Sequence, residues 1–228
     1  MRTVINRRSV RGGLLSAVMT GSLFLGVTGC GGDGDDDHLP EDYKVVAGTR
    51  LCGGHAVSAD AARALKVITG SSRFEASGEE YSVAQAATEI AEAFPAPTLT
   101  KDLCRVYMPI GTPDFVLRIT WGLEEGAPTG APDPDFTVLK MGERAVAGVD
   151  NAYVFFACRS PRLNELAGPA HLAVNVRHWG MPKPPEGDVR ALKNAYATVA
   201  HSFSLAMAKE LRCEKNGGLP AKPVLDPA

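Results

Sequence analysis

The chain has 228 residues, 45% of them hydrophobic and 22% charged, an ordinary globular composition at a length that suits one domain or two small ones. No internal stretch offers the ~20 apolar residues that a bilayer crossing requires, so membrane contact is expected from the N-terminus alone. The formal charge is −2, but residues 1–29 hold Arg2, Arg7, Arg8 and Arg11 and no acid, which leaves 20 basic against 26 acidic residues and a net charge near −6. An acidic domain lacks the footprint for nucleic acid and is weakly repelled by anionic lipid.

Residues 1–12 are polar and basic, 14–27 are apolar apart from Gly, Ser and Thr, and Val27-Thr28-Gly29-Cys30 follows. A basic region, a short apolar core and small residues at a cut define a secretory signal peptide over 1–29. A membrane-spanning helix is the alternative, but the apolar run is short and the Gly/Asp segment behind it is poor helix material. Val27-Thr28-Gly29-Cys30 resembles the lipobox of bacterial lipoprotein precursors. The resemblance implies transfer of diacylglycerol to the Cys30 sulfur and cleavage before it. The implied partner is the lipid bilayer, met through acylated Cys30 at the outer face of the cytoplasmic membrane. Each buried methylene contributes ~0.8 kcal/mol, and two acyl chains hold where one does not. Asn6-Arg7-Arg8-Ser9-Val10-Arg11 partly resembles a twin-arginine export signal, which leaves the export route open between folded and unfolded transport.

The segment 30–44 has a Gly/Asp-rich start with nothing to bury, and is expected to be a flexible tether spanning ~20 Å. An EF-hand loop begun at Asp33 would need Gly and Glu where His38 and Lys44 stand, so no metal is expected there. Five cysteines, one assigned to lipid, leave Cys52, Cys104, Cys158 and Cys213, an even number that predicts two disulfides in an exported chain. Three pairings are possible, and Cys52–Cys104 with Cys158–Cys213 is favoured because each staples one half of the domain.

A single globular domain is expected over 45–219. Ser58 starts a helix to Thr69, stopped by Gly70, with Leu65 and Ile68 inward. Ser82-Val83-Ala84-Gln85 is a capping box before Val83, Ala87, Ile90 and Phe94 at helical spacing, ended by Pro95. The period then changes. Phe115-Val116-Leu117-Arg118-Ile119-Thr120-Trp121 alternates like a half-buried strand, and 103–110, 136–141, 152–158 and 171–178 read similarly. The polar stretch 126–134 reads as a mobile loop. Asp188 caps a closing helix with Val189, Leu192, Tyr196, Val199, Phe203, Met207 and Leu211 in one stripe, ended by Asn216-Gly217-Gly218. Residues 220–228 read as a loose tail. The expected class is α+β: an antiparallel meander of about five strands with helices on one face.

Leu51-Cys52-Gly53-Gly54, expected in a helix, the strand Cys104-Arg105-Val106-Tyr107 and the closing helix loosely resemble small secreted lipoproteins of actinomycetes, some of them in families of unknown function. Those families place a tryptophan two residues after the later cysteine, whereas this chain has Tyr107 three residues after Cys104. The resemblance brings no catalytic residue with it.

No motif specifies chemistry. Cys52 near His55 could suggest a thiolate nucleophile, but export and cysteine parity favour a disulfide half. His38, His55, His171, His178 and His201 show no zinc spacing, and His201 is placed on the polar side of the last helix. There is no nucleophile elbow and no phosphate-binding loop, so no cofactor, metal or catalytic residue is assigned, and the ligand-binding residues stay open. Trp121 and Trp179 are read as core or rim packing before sugar platforms. Three functions follow as expectations: a non-enzymatic lipoprotein binding an envelope protein or a small ligand, an enzyme of cell-wall polymer using acids among Glu124, Glu125, Asp133 and Asp135, and a passive structural protein of the envelope.

Overall fold

Each helix starts where a side chain can satisfy an orphaned backbone N–H. In the computed structural model, which describes residues 43–78, 80–112, 116–163, 168–179 and 186–228, Ser58 caps α1 (Ala59–Thr69) by accepting from the Ala61 N–H at 3.1 Å. Ser82 caps α2 (Val83–Ala93) through the Gln85 N–H at 3.2 Å, while the Gln85 side chain reaches forward to Glu89. Asp188 caps α3 (Val189–Glu210) through the Ala191 N–H at 2.7 Å. Such caps contribute ~1 kcal/mol each. Gly70 ends α1 in the left-handed conformation.

The strands build two antiparallel sheets. A small one pairs β1 (Val45–Ala47) with β2 (Arg73–Glu75). The main sheet has six strands: β3 (Thr98–Tyr107), β4 (Val116–Glu124), β5 (Thr137–Leu139), β6 (Arg144–Ala147), β7 (Asn151–Cys158) and β8 (Ala170–Trp179). Their spatial order is β3-β4-β8-β7-β6-β5. The α+β class with a closing helix holds, but the simple meander does not. The connection containing 126–134 carries the chain from β4 to the far edge, and β5 to β8 then fold back until β8 pairs with β4. The β4–β8 register runs from Val116 opposite Trp179 to Glu124 opposite His171. It places Leu117, Ile119, Trp121 and Leu123 on one face with Leu172, Val174 and Val176, all buried.

That face carries the helices. α3 packs on β6, β7 and β8, α1 and α2 pack on α3, and α2 also meets β3. Tyr196, Val199, Phe203 and Met207 are buried in the core, with Leu211 at the helix end. The buried Ser202 joins helix to loop: its hydroxyl donates to the Ala56 carbonyl at 2.8 Å and accepts from the Ser58 N–H at 2.9 Å. Cys52 lies at bonding distance of Cys104 and Cys158 of Cys213, with Cα separations of 5.7 and 4.9 Å. The first pair ties the turn after β1 to β3, and the second ties the end of β7 to the segment after α3.

Several expectations need correction. The edge strand β3 begins at Thr98 and ends at Tyr107, not at 103 and 110. An edge tolerates the polar Thr100-Lys101-Asp102, while Pro109 cannot donate to a ladder and instead accepts from Thr112 in a turn. The short β1, β2 and β6 raise the strand count from about five to eight. No helix surrounds Cys52: a 3-10 turn at Gly48–Arg50 precedes it, and Cys52 itself has φ 55° in a turn. Val189 is 57% exposed, because it begins α3 beyond the sheet, so the buried stripe starts at Leu192. α3 stops at Glu210, before Asn216-Gly217-Gly218, because Arg212 turns left-handed just after it and Cys213 is extended; Lys215 to Gly218 are left-handed in turn. A Cβ on Gly217 would lie 2.6 Å from the Phe156 ring and 2.9 Å from the Ala157 carbonyl oxygen, so this close passage requires glycine.

His201 is 2% exposed, not on the surface, because the C-terminal segment crosses α3 and offers the Pro220 carbonyl to Nε2 at 2.8 Å. Burial pushes this imidazole below its ordinary pKa, against the opposing pull of the Pro220 carbonyl. The same segment is no loose tail. Leu219 is buried, Val224 and Leu225 pack on the core, and the Ala228 N–H donates to the Val138 carbonyl at 2.9 Å, which covers the β5 edge. Tyr43 and Lys44, expected in the tether, join the domain as well: the Tyr43 hydroxyl accepts from the Ile110 N–H at 2.8 Å and the Lys44 carbonyl from the Ala76 N–H at 2.8 Å. The signal segment, Cys30 and the remaining tether lie outside the described residues.

Candidate functional site

The second face of the six-stranded sheet has no helix packed on it among the described residues. Strand alternation sends every other side chain there: Arg118 and Thr120 from β4, Asn175, Arg177 and Trp179 from β8, Tyr153 and Phe155 from β7; on β3 an irregularity between Asp102 and Cys104 puts both Asp102 and Arg105 on this face. Register then decides which of them meet. Arg105 lies opposite Arg118, and Arg118 opposite Arg177, so three arginines form one row across three neighbouring strands. One row over, Asp102 lies opposite Thr120, Thr120 opposite Asn175, and Asn175 opposite Tyr153.

Like charges directly opposite on a sheet repel, so this row needs compensation. Asp102 supplies part of it. The Arg105 Nε donates to Asp102 Oδ2 at 3.0 Å, and the Arg118 Nε donates to Oδ1. Burial alone would raise the Asp102 pKa, but hydrogen bonds from Arg118 and Arg105 outweigh it and hold the carboxyl below its ordinary value. Hydrogen bonding to Tyr107 and to Asp102 keeps the Arg105 guanidinium firmly charged. Trp179 eases it further without cancelling charge: its ring lies 5.1 Å from the Arg118 guanidinium carbon and 4.8 Å from that of Arg177. No carboxylate pairs with Arg177 among the described residues. Three guanidinium groups against one carboxylate leave two uncompensated positive charges.

The face is concave at this point. A groove of about 300 Å³ is lined by Thr100, Arg118, Thr120, Tyr153, Asn175, Arg177 and Trp179. Thr120 is only 5% exposed, and its hydroxyl makes no hydrogen bond to the described residues. The Asn175 amide is oriented by donating to the Ala152 carbonyl at 3.1 Å. On the β7 side the groove continues into aromatic surface, where Tyr153 stacks on Phe155 at 6.2 Å and meets the Phe136 edge at 6.1 Å. A second groove, about 390 Å³, lies between α1 and α3 with Asp60, Arg63, Val67, Asn194, Thr198 and Leu225 among its lining. Its Arg63 is paired with Asp60, which leaves Lys222 as its further cation, and it has no aromatic side chain in its lining.

The residues singled out from sequence scatter around this geometry. Trp121 is core, 1% exposed, whereas Trp179 is 48% exposed at the arginine groove. Cys52 pairs with Cys104, so it offers no free thiolate. Glu124, Glu125, Asp133 and Asp135 are all exposed, and none lines the groove. The Asp133 carboxylate caps its own turn by accepting the Asp135 N–H at 2.9 Å. His171 joins Glu143 at 2.9 Å near the other end of β8, and among the described residues no three metal-ligating side chains converge.

The arginine row was missed because it exists only in register. One signal was present. Arg105-Val106-Tyr107 and Arg177-His178-Trp179 both place an arginine two residues before an aromatic, hence on the same side of their strands. Comparison with known proteins returns no matching family model, no matching curated protein and no matching solved structure.

Proposed function

We propose that residues 30–228 form a membrane-anchored extracytoplasmic lipoprotein whose α+β domain is a non-enzymatic binding module of the cell envelope. The anchor rests on cysteine pairing. Cys52, Cys104, Cys158 and Cys213 take each other up within the domain, which leaves Cys30 as the one cysteine with no thiol partner in the chain. That cysteine follows an apolar, signal-like segment and sits in a lipobox-like context. The same reading takes up the likeness to secreted actinomycete lipoproteins. The binding role rests on the helix-free face of the main sheet, where a groove gathers charged, hydroxyl, amide and aromatic side chains.

Metabolic labelling with a tagged fatty acid tests the anchor. Wild-type protein should take up label and partition with membranes, and Cys30→Ser should lose both. Label retained in Cys30→Ser, or wild-type protein free of label, overturns the anchored reading. Incubation with purified peptidoglycan tests the non-enzymatic half. Released glycan or peptide fragments that grow with time and protein concentration would replace the binding module with a wall-acting enzyme.

A further inference from the structure

We infer that the groove between β3, β4, β8 and β7 binds a small soluble organic anion, one that joins a phosphate or carboxylate to a planar ring. The inference rests on the binding-module reading above and names the chemistry of its ligand.

Charge identifies the anionic end. The mature chain is acidic overall, yet at this end of the face three in-register arginines meet one carboxylate among the described residues. Asp102 engages Arg105 and Arg118 from one side, whereas among the described residues Arg177 meets the Trp179 ring and no carboxylate. A row of like charges is a standing cost in the empty protein. A bound anion between Arg118 and Arg177 would relieve it, and planar guanidinium groups match the oxygens of phosphate or carboxylate.

The walls identify the rest. Thr120 is a nearly buried residue of the lining whose hydroxyl has no hydrogen-bond partner among the described residues, and Thr100 and Asn175 add polar atoms to the same lining. Trp179 and Tyr153 line the same groove, and Tyr153 continues into Phe155 and Phe136. That aromatic side favours a planar or apolar body over a bare inorganic ion. A volume of about 300 Å³ lies at the small end of ligand pockets, which suits a compact molecule and not a polymer.

Calorimetric titration of the full mature chain in detergent with phenyl phosphate tests this, with phenol and inorganic phosphate as partial probes. Phenyl phosphate should bind saturably at one site and more tightly than either partial probe. Arg177→Gln should weaken it about tenfold, the loss of one charge-assisted contact, with Arg177→Lys intermediate. Arg177 is exposed and has no ion pair among the described residues, and an unchanged near-ultraviolet circular dichroism spectrum establishes that the variant is folded.

Four results would overturn the inference. They are no saturable binding, equal affinity in Arg177→Gln, tighter Arg177-dependent binding to phosphatidylglycerol vesicles than to phenyl phosphate, and phenyl phosphate binding only after Asp35, Asp36 and Asp37 are changed to Asn. The third assigns the face to lipid and the fourth to the chain's own acidic segment. Each leaves acylation at Cys30 untouched, so failure of the ligand class is distinguishable from failure of the lipoprotein reading.

Discussion

One sheet presents two faces with opposite chemistry. On the helix-covered face, Leu117, Ile119, Trp121, Val174 and Phe156 are at most 1% exposed and pack with Phe203 and Tyr196 from α3. On the open face, the alternate residues of the same strands are Arg118, Thr120, Asn175, Arg177 and Tyr153. The first face holds the molecule together by excluding water. The second gathers charge that contributes little to folding and is left exposed where a ligand can reach it. The difference separates stability from recognition within single strands, between neighbouring residues.

The contrast predicts a graded response to substitution. Phe203→Ala on the covered face should cost ~3–5 kcal/mol in urea denaturation, because it removes a fully buried ring and leaves a cavity. A loss under 1 kcal/mol would mean that α3 does not depend on the packing described.

Asp102→Asn on the open face should cost less, ~1–2 kcal/mol, since it breaks charge-assisted bonds to two arginines at a site that keeps some solvent contact. Its pH signature has a definite sign. The folded pKa lies below the ordinary value, so the stabilisation is present above about pH 4 and is lost as pH falls through the folded pKa. Asp102→Asn should flatten that acid limb.

His201 gives a second, milder limb at higher pH. Its folded pKa is depressed, so below about pH 6.5 the unfolded chain takes up a proton that the folded chain refuses, and stability declines as pH falls. His201→Gln should remove the slope that begins below about pH 6.5. An unchanged slope would contradict the buried, neutral histidine. Arg177→Gln should have the smallest effect on folding, within ~0.5 kcal/mol, as for an exposed side chain without an ion pair. A larger loss in thermal denaturation would make the arginine row structural.

Legibility followed the same division. The covered face was readable, because helical spacing of Leu192, Tyr196, Val199 and Phe203 and alternation through 115–121 are local patterns. The caps at Ser58, Ser82 and Asp188 were equally local. Nonlocal features escaped. The insertion of β8 between β4 and β7 cannot be read from strand lengths, and it creates the Arg118–Arg177 pair. His201 looked like a surface residue because it lies beside the apolar stripe, and only the crossing of Pro220 buries it. The candidate site was therefore visible as single residues, Trp179 among them, but not as a site.

The two tryptophans lie on opposite faces of the sheet, Trp121 inside the core and Trp179 at the groove. Incorporating 5-fluorotryptophan and following both fluorine resonances during a phenyl phosphate titration tests most directly whether the open face is the working one. The account predicts a saturable shift of the Trp179 signal with Trp121 unmoved. A shift confined to Trp121, or none at either ring up to saturating probe, would contradict it.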